Sequence, residues 1–225
     1  MKVQLKSAKS KCGKIFCKKQ SMSWKNMKKK DTYSLLLLAG GKSSRMGTNK
    51  AELIYQGQTF VKTLLSKAKA LGIEQIYISG FKEDGITTVW DIYPEQGPIG
   101  GIHACMKQVK TPYCIVIPVD VPQIPTKVLE KLIEFHEKNE SRAAEHELPV
   151  LIKHGERREN LIGIYQVQMA DYIEDRIKKG KLSVHGMLDD WGNICFEINI
   201  PQWQVENINT REAYEELLAM SKEGK

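Results

Sequence analysis

Two short runs in this sequence leave no side for solvent: Leu35 to Leu38 is four leucines in a row, and Tyr113 to Val119 (YCIVIPV) is apolar nearly throughout. Successive side chains of a strand project to opposite faces, so a strand without polar alternation must be covered on both. Such strands belong in the middle of a parallel sheet, whose connections are long enough to carry covering helices. The chain supplies those helices. After Gly57, the residues Phe60, Val61, Leu64, Leu65, Ala68 and Leu71 recur at the spacing of one helical face, and Gly72 supplies a stop. Pro125 opens a second such pattern with Val128, Leu129, Leu132, Ile133 and His136. Shorter strand signals lie at Gln75–Ser79 and Ile86–Trp90, and a helix is expected from near Gly100 to about Val109. The pattern predicts an α/β fold of three layers, α/β/α, with a mostly parallel central sheet.

Beyond residue 140 the periodicities are shorter. LPVLI and LIGIYQV read as strands, Ala170–Lys179 and Val184–Trp191 as helices, and CFEINI and QVENIN as strand pieces. Asn209 or Thr210 caps a last helix, with Glu212 three residues after Asn209 as in a capping box.

The net charge of +7 is unevenly placed. Of the 34 basic residues, eleven lysines fall in residues 1–30, where there is no acid, leaving 23 to face 27 acidic residues in the remainder. The body is therefore mildly acidic, which argues against nucleic-acid binding by the folded domain. Residues 1–31 read as a basic, disordered extension, and translation starting at Met22 or Met27 is an alternative. No apolar run is long enough for a signal peptide or a membrane span, so the expectation is a cytoplasmic chain without membrane contact. Cys12 and Cys17 lie in the lysine-rich extension, and Cys105, Cys114 and Cys195 in apolar surroundings expected to be core.

The stretch LAGGKSSRMGTNKA (38–51) follows the four leucines. Small residues at Ala39, Gly40 and Gly41 let backbone N–H groups approach a ligand, at the carboxyl end of a strand where α/β sheets bind. A P-loop would need glycine at position 36, which is leucine, and glycines at 40, 41 and 47 do not spell a dinucleotide fingerprint. What remains is a loop with Lys42, Ser43, Ser44, Arg45 and Lys50, suited to a triphosphate or merely a basic surface loop. Asp120 ends the second apolar run, where a carboxylate needs a positive partner. Mg²⁺ bridging to phosphate is one, and local capping or pairing is the alternative. Asp91 follows the third strand in the same way. GPIGGI (97–102) places small residues at a helix start, suited to packing against a base or phosphate.

These motifs resemble those of the molybdenum cofactor guanylyltransferase family, nucleotidyltransferases of the glycosyltransferase-A-like superfamily. LAGGKSSRMGTNKA, WD (90–91), GPIGGI, PVDVP (118–122) and NINT (207–210) come in the family's order. The resemblance implies a Rossmann-like nucleotide-binding fold in a single domain, residues 32–222. The nucleotide would lie on about 32–125 and the acceptor pterin on about 126–222. It implies nucleotide contacts at Leu38, Ala39, Gly40, Gly41, Lys50, Ser79, Asp91, Gly97, Gly101 and Asp120, catalytic roles for Arg45, Lys50 and Asp120, and Mg²⁺ on Asp120. Gly40, where CTP-using relatives carry alanine, points to guanine. Asn49 and Ser79 depart from the family's aspartate and asparagine, and no proline precedes RRENLIGIY (157–165). Arg157, Arg158 and Lys181 are candidate pterin anchors.

The implied reaction joins GMP from GTP to the terminal phosphate of molybdopterin and releases pyrophosphate. The implied partners are GTP, the molybdenum cofactor, and transiently the cofactor-donor and acceptor molybdoenzyme proteins. The alternatives are a cytidylyltransferase acting on molybdopterin or on a sugar or polyol phosphate, and a non-catalytic GTP- or pterin-binding carrier. A third, nucleic-acid binding through the lysine extension, predicts binding that vanishes with residues 1–30.

Overall fold

The computed structural model describes residues 29–40, 49–139 and 148–223. The lysine-rich extension up to residue 28, with Cys12 and Cys17, lies outside them. One helical turn, α1 (Lys29–Thr32), leads into β1 (Tyr33–Leu38). A hairpin of β2 (Ile54–Tyr55) and β3 (Gln58–Thr59) precedes α2 (Phe60–Ala70), β4 (Ile76–Ser79), β5 (Thr87–Val89), α3 (Pro98–Met106), β6 (Tyr113–Pro118) and α4 (Thr126–Asn139). Then come β7 (Val150–His154), β8 (Arg157–Gln166), α5 (Ala170–Lys178), α6 (Val184–Trp191), β9 (Ile194–Glu197) and α7 (Arg211–Glu223).

Seven strands make one sheet in the order β5-β4-β1-β6-β8-β7-β9, with β1 and β6 paired in parallel near its middle. Only β8 runs against the rest, because Gly155 (φ 56°) and Glu156 alone join it to β7 and so tight a connection makes an antiparallel pair. The leucine run is divided between the two faces. Leu35 and Leu37 pack with residues of α2 and α4, whereas Leu36 and Leu38 pack with residues of α3, α5 and α6. Ser34, the polar residue of that strand, is fully buried and shares a 2.8 Å hydrogen bond between its Oγ and Thr111 Oγ1. The three-layer α/β/α expectation holds.

Three local expectations change. The β2–β3 hairpin, turning on Gln56 (φ 49°) and Gly57 (φ 81°), has no counterpart in the sequence reading. QVENIN is not a strand: a 3-10 turn covers Gln202–Val205, and the Trp203 and Glu206 carbonyls are taken by the Gln123 side chain instead of by a neighbouring strand. Cys105 and Cys114 are buried, but Cys195 is exposed, since β9 is an edge strand with one side open. At the last helix, Thr210 Oγ1 accepts from Ala213 N at 3.2 Å, so Thr210 is the cap and the Asn209 side chain is left for another role. No helix among the described residues is long and apolar enough to cross a membrane.

Candidate active site

The parallel strands end together, and the backbone pairing runs past their ends. Val119 N donates to Leu38 O at 2.9 Å, Ala39 N to Ser79 O at 3.1 Å, and Gly80 N to Val89 O at 3.0 Å. Residues 39–40, 79–80, 90–91 and 119–120 are thereby lined up along one carboxyl edge, where open α/β sheets hold ligands.

Gly40 and Gly80 touch across this edge, but for different reasons. Gly80 has φ +72°, and a Cβ on it would stand 2.6 Å from Gly40 Cα, so no other residue fits there. A Cβ on Gly40 would meet nothing nearer than 3.6 Å, ordinary contact. The fold does not require glycine at position 40.

Ser79 is buried at the end of β4, and its Oγ lies 3.5 Å from Asp91 Oδ1. Burial holds the Asp91 carboxyl above its ordinary value, with the Ser79 hydroxyl and His103 opposing that shift. Gly101 accounts for the serine: a Cβ at 101 would come within 2.5 Å of Ser79 Oγ. Serine at 79 and glycine at 101 thus form one packing solution that seats α3 on β4. Gly97 caps α3 with φ +67° and has open space around it. Leu38, at the end of β1, is 8% exposed and is mainly a core residue.

The other half of the site assembles around Asp120. Lys50 Nζ donates to Asp120 Oδ2 at 2.9 Å and to Asn209 Oδ1 at 2.5 Å. Asn207 Nδ2 donates to Asp120 Oδ1 at 2.7 Å, and Ile208 N donates to the Asp120 carbonyl at 2.8 Å. Lys50 opens a 3-10 turn whose cap is Asn49, with Asn49 Oδ1 accepting from Ala51 N at 3.1 Å. Asparagine and aspartate cap such turns equally well, so the departure from the family's aspartate at Asn49 does not disturb the turn that carries Lys50. Gly41 and Arg45, with Lys42, Ser43 and Ser44, lie outside the described residues.

Asn207 and Asn209 escaped the sequence reading as site residues, although NINT was noted. The available signal was their spacing, since residues two apart in an extended segment project to the same side. The three cations expected at the acceptor side are dispersed. Arg157 Nε pairs with Glu159 Oε1 at 2.8 Å, while Arg158, one residue on and so on the opposite face, pairs with Asp189 and Asn160. Lys181 is exposed beyond α5. Glu159 is buried, and that burial holds its carboxyl above the ordinary range against the pull of Arg157.

A family model described as the MobA-like NTP transferase domain matches residues 35–189. A probable molybdenum cofactor guanylyltransferase of Clostridium perfringens is 37% identical over 150 residues, covering 64% of this chain and 71% of that protein. One from Aquifex aeolicus is 26% identical over 210 residues, covering 89% of this chain and 98% of that protein. The crystal structure of molybdopterin-guanine dinucleotide biosynthesis protein A from Archaeoglobus fulgidus shares the fold, with a TM-score of 0.67 and 22% identity over 84% of this chain and 99% of that one. The family match takes in every strand of the carboxyl edge, including the Lys50 and Asp120 positions, and the chain belongs to the MobA-like NTP transferase domain family and is a nucleotidyltransferase.

Proposed function

We propose that this chain transfers GMP from GTP to the terminal phosphate of molybdopterin, with Mg²⁺ as the cation and pyrophosphate as the second product. The observation that carries the reading is the meeting of Lys50, Asp120, Asn207 and Asn209, drawn from distant parts of the chain, next to Ala39 and Gly40. The guanylyltransferase names of the relatives support the nucleotide and the acceptor.

In this reading an oxygen of the pterin phosphate bonds to the α-phosphorus of GTP while the bond from that phosphorus to the β-phosphate oxygen breaks. The attacking group is already an anion, so no side chain has to remove a proton, and catalysis consists of positioning and charge neutralisation. Ala39 and Gly40 present backbone to the nucleotide, and Lys50 and Arg45 neutralise charge on the phosphates. Asp91, held in place by Ser79, lines the nucleotide end of the edge.

The residues around Asp120 fit a cation that arrives with the nucleotide. Mg²⁺ usually takes one or two carboxylates and keeps water and substrate phosphates as its other ligands. Asp120 offers a carboxylate and Asn209 an amide oxygen, and no cluster of three His, Cys, Asp or Glu residues exists among the described residues. When bound, the cation supplies charge neutralisation at the phosphates. Lys50 Nζ contacts the same two side-chain oxygens, which keeps its ammonium beside the place where the phosphates would lie.

The acceptor is assigned to the part of the domain from about residue 126 onward, which contributes the two asparagines. Measuring pyrophosphate release with GTP and with CTP, each with and without molybdopterin, tests the proposal. Release with GTP that depends on molybdopterin is expected. Preference for CTP points to a cytidylyltransferase, and GTP binding without any release points to a carrier; either overturns it.

A further inference from the structure

Asp120 stands at the mouth of a loop, residues 121–125, that does little to hold itself. Pro122 and Pro125 have no N–H to donate, and the hydrogen bonds within the loop are long: Val121 N to Pro118 O at 3.4 Å and Ile124 N to Val121 O at 3.3 Å. Its shape is imposed from two sides. On one, Gln123 Nε2 donates to the carbonyls of Trp203 at 2.9 Å and Glu206 at 2.5 Å, tying the loop to the segment that brings Asn207 and Ile208 to Asp120. On the other, Lys67, near the end of α2, donates from Nζ to the carbonyls of Pro122 at 2.6 Å and Ile124 at 2.5 Å. These carbonyls flank Gln123, so ammonium and amide grip the same three residues.

A lysine is a costly donor for this place. Burial disfavours its charged form and pulls it down to about 8, whereas water or a hydroxyl would satisfy the same carbonyls. It lies at an open cavity of about 290 Å³ lined also by Tyr55, Gln58, Thr63, Ser66 and Thr126. Tyr55, the other titratable group there, is held above its ordinary value by burial, and no carboxylate among the lining residues neutralises the ammonium. A charged donor forms stronger hydrogen bonds than a neutral one, and that strength goes to the loop beside Asp120.

We infer that Lys67 is a positioning residue for nucleotidyl transfer: by gripping Pro122 to Ile124 it fixes Asp120 against Asn207 in the arrangement the reaction requires. The inference rests on the reading of Asp120 as the carboxylate of the site. Because Lys67 acts through the loop and not on the nucleotide, its loss is read in kcat and in the exchange of the loop.

Lys67→Arg and Lys67→Met, compared with wild type at neutral pH, test it through pyrophosphate release at saturating GTP and through hydrogen exchange. Lys67→Arg, whose guanidinium also donates to carbonyls, keeps kcat within about threefold. Lys67→Met lowers kcat by about tenfold with KM for GTP nearly unchanged, and exchange speeds up in residues 119–125 and 203–209 but not elsewhere. Wild-type kcat in Lys67→Met, or exchange in residues 119–125 that this variant leaves unchanged, overturns the inference. If Lys67→Met does not fold, Lys67→Gln decides in its place: lowered kcat with faster exchange in residues 119–125 supports the inference, and wild-type values of both overturn it. Absence of transfer by wild type with every nucleotide refutes the proposed function instead, and unchanged exchange in Lys67→Met then still refutes the grip.

Discussion

Gly40 and Gly80 lie in contact, yet the physics asks different things of them. Gly80→Ala puts a methyl at a left-handed φ and 2.6 Å from Gly40 Cα, and is expected to destabilise by about 1–3 kcal/mol in chemical denaturation. Gly40→Ala has room and no left-handed φ, and is expected to stay within about 0.5 kcal/mol of wild type while losing most of its preference for GTP over CTP in a pyrophosphate-release competition. A strongly destabilised Gly40→Ala would mean that the glycine serves the fold. Asn49 makes a similar case from capping. Asn49→Asp is expected to retain activity, whereas Asn49→Ala costs about 1 kcal/mol and lowers activity by misplacing Lys50. At this scale Asp120 was legible because a carboxylate closing an apolar run is a local conflict that demands a partner. Asn207 and Asn209 were not, since asparagine before a helix already has an ordinary local explanation in capping, and only the Thr210 bond to Ala213 frees Asn209 from it.

Among the elements, β1 and α2 were legible because each carries its whole signal within its own residues, an unbroken apolar run and a one-faced periodicity. The 202–209 segment was misread because its backbone is satisfied by Gln123, some 80 residues away, and no local pattern encodes that. Its dependence on distant partners makes it sensitive at few points. Asn207→Ala is expected to lower kcat by about 10²-fold with the secondary structure retained by circular dichroism, because Asp120 Oδ1 loses its donor. Lys67 also leaves a mark on stability. Its folded value of about 8 lies below the ordinary 10.5, so between these values the unfolded chain holds more protons and wild-type stability gains with rising pH. Lys67→Met is expected to lack that gain, which denaturation at pH values of about 7.5 and 10 measures.

For the whole molecule, the layer order follows from strands that are apolar on both faces, and the position of the site follows from the layer order, since parallel strands ending together leave one edge for ligands. The division between nucleotide and acceptor parts is less sharp than the chain order suggests. Lys50 and Asn209 are 159 residues apart and share a hydrogen bond, so the carboxyl-terminal part meets the turn that carries Lys50. Such a contact is a property of the folded topology and cannot be read along the sequence. In the proposed function this assembled edge moves a guanylyl group. Incubating the enzyme with α-labelled GTP, Mg²⁺ and molybdopterin and following the label measures it most directly. Label is expected on the pterin with wild type, with a loss of about 10²-fold or more in Asp120→Ala and Lys50→Ala of unchanged fold. Label on the pterin at wild-type rates in either variant, or none with wild type, would contradict it.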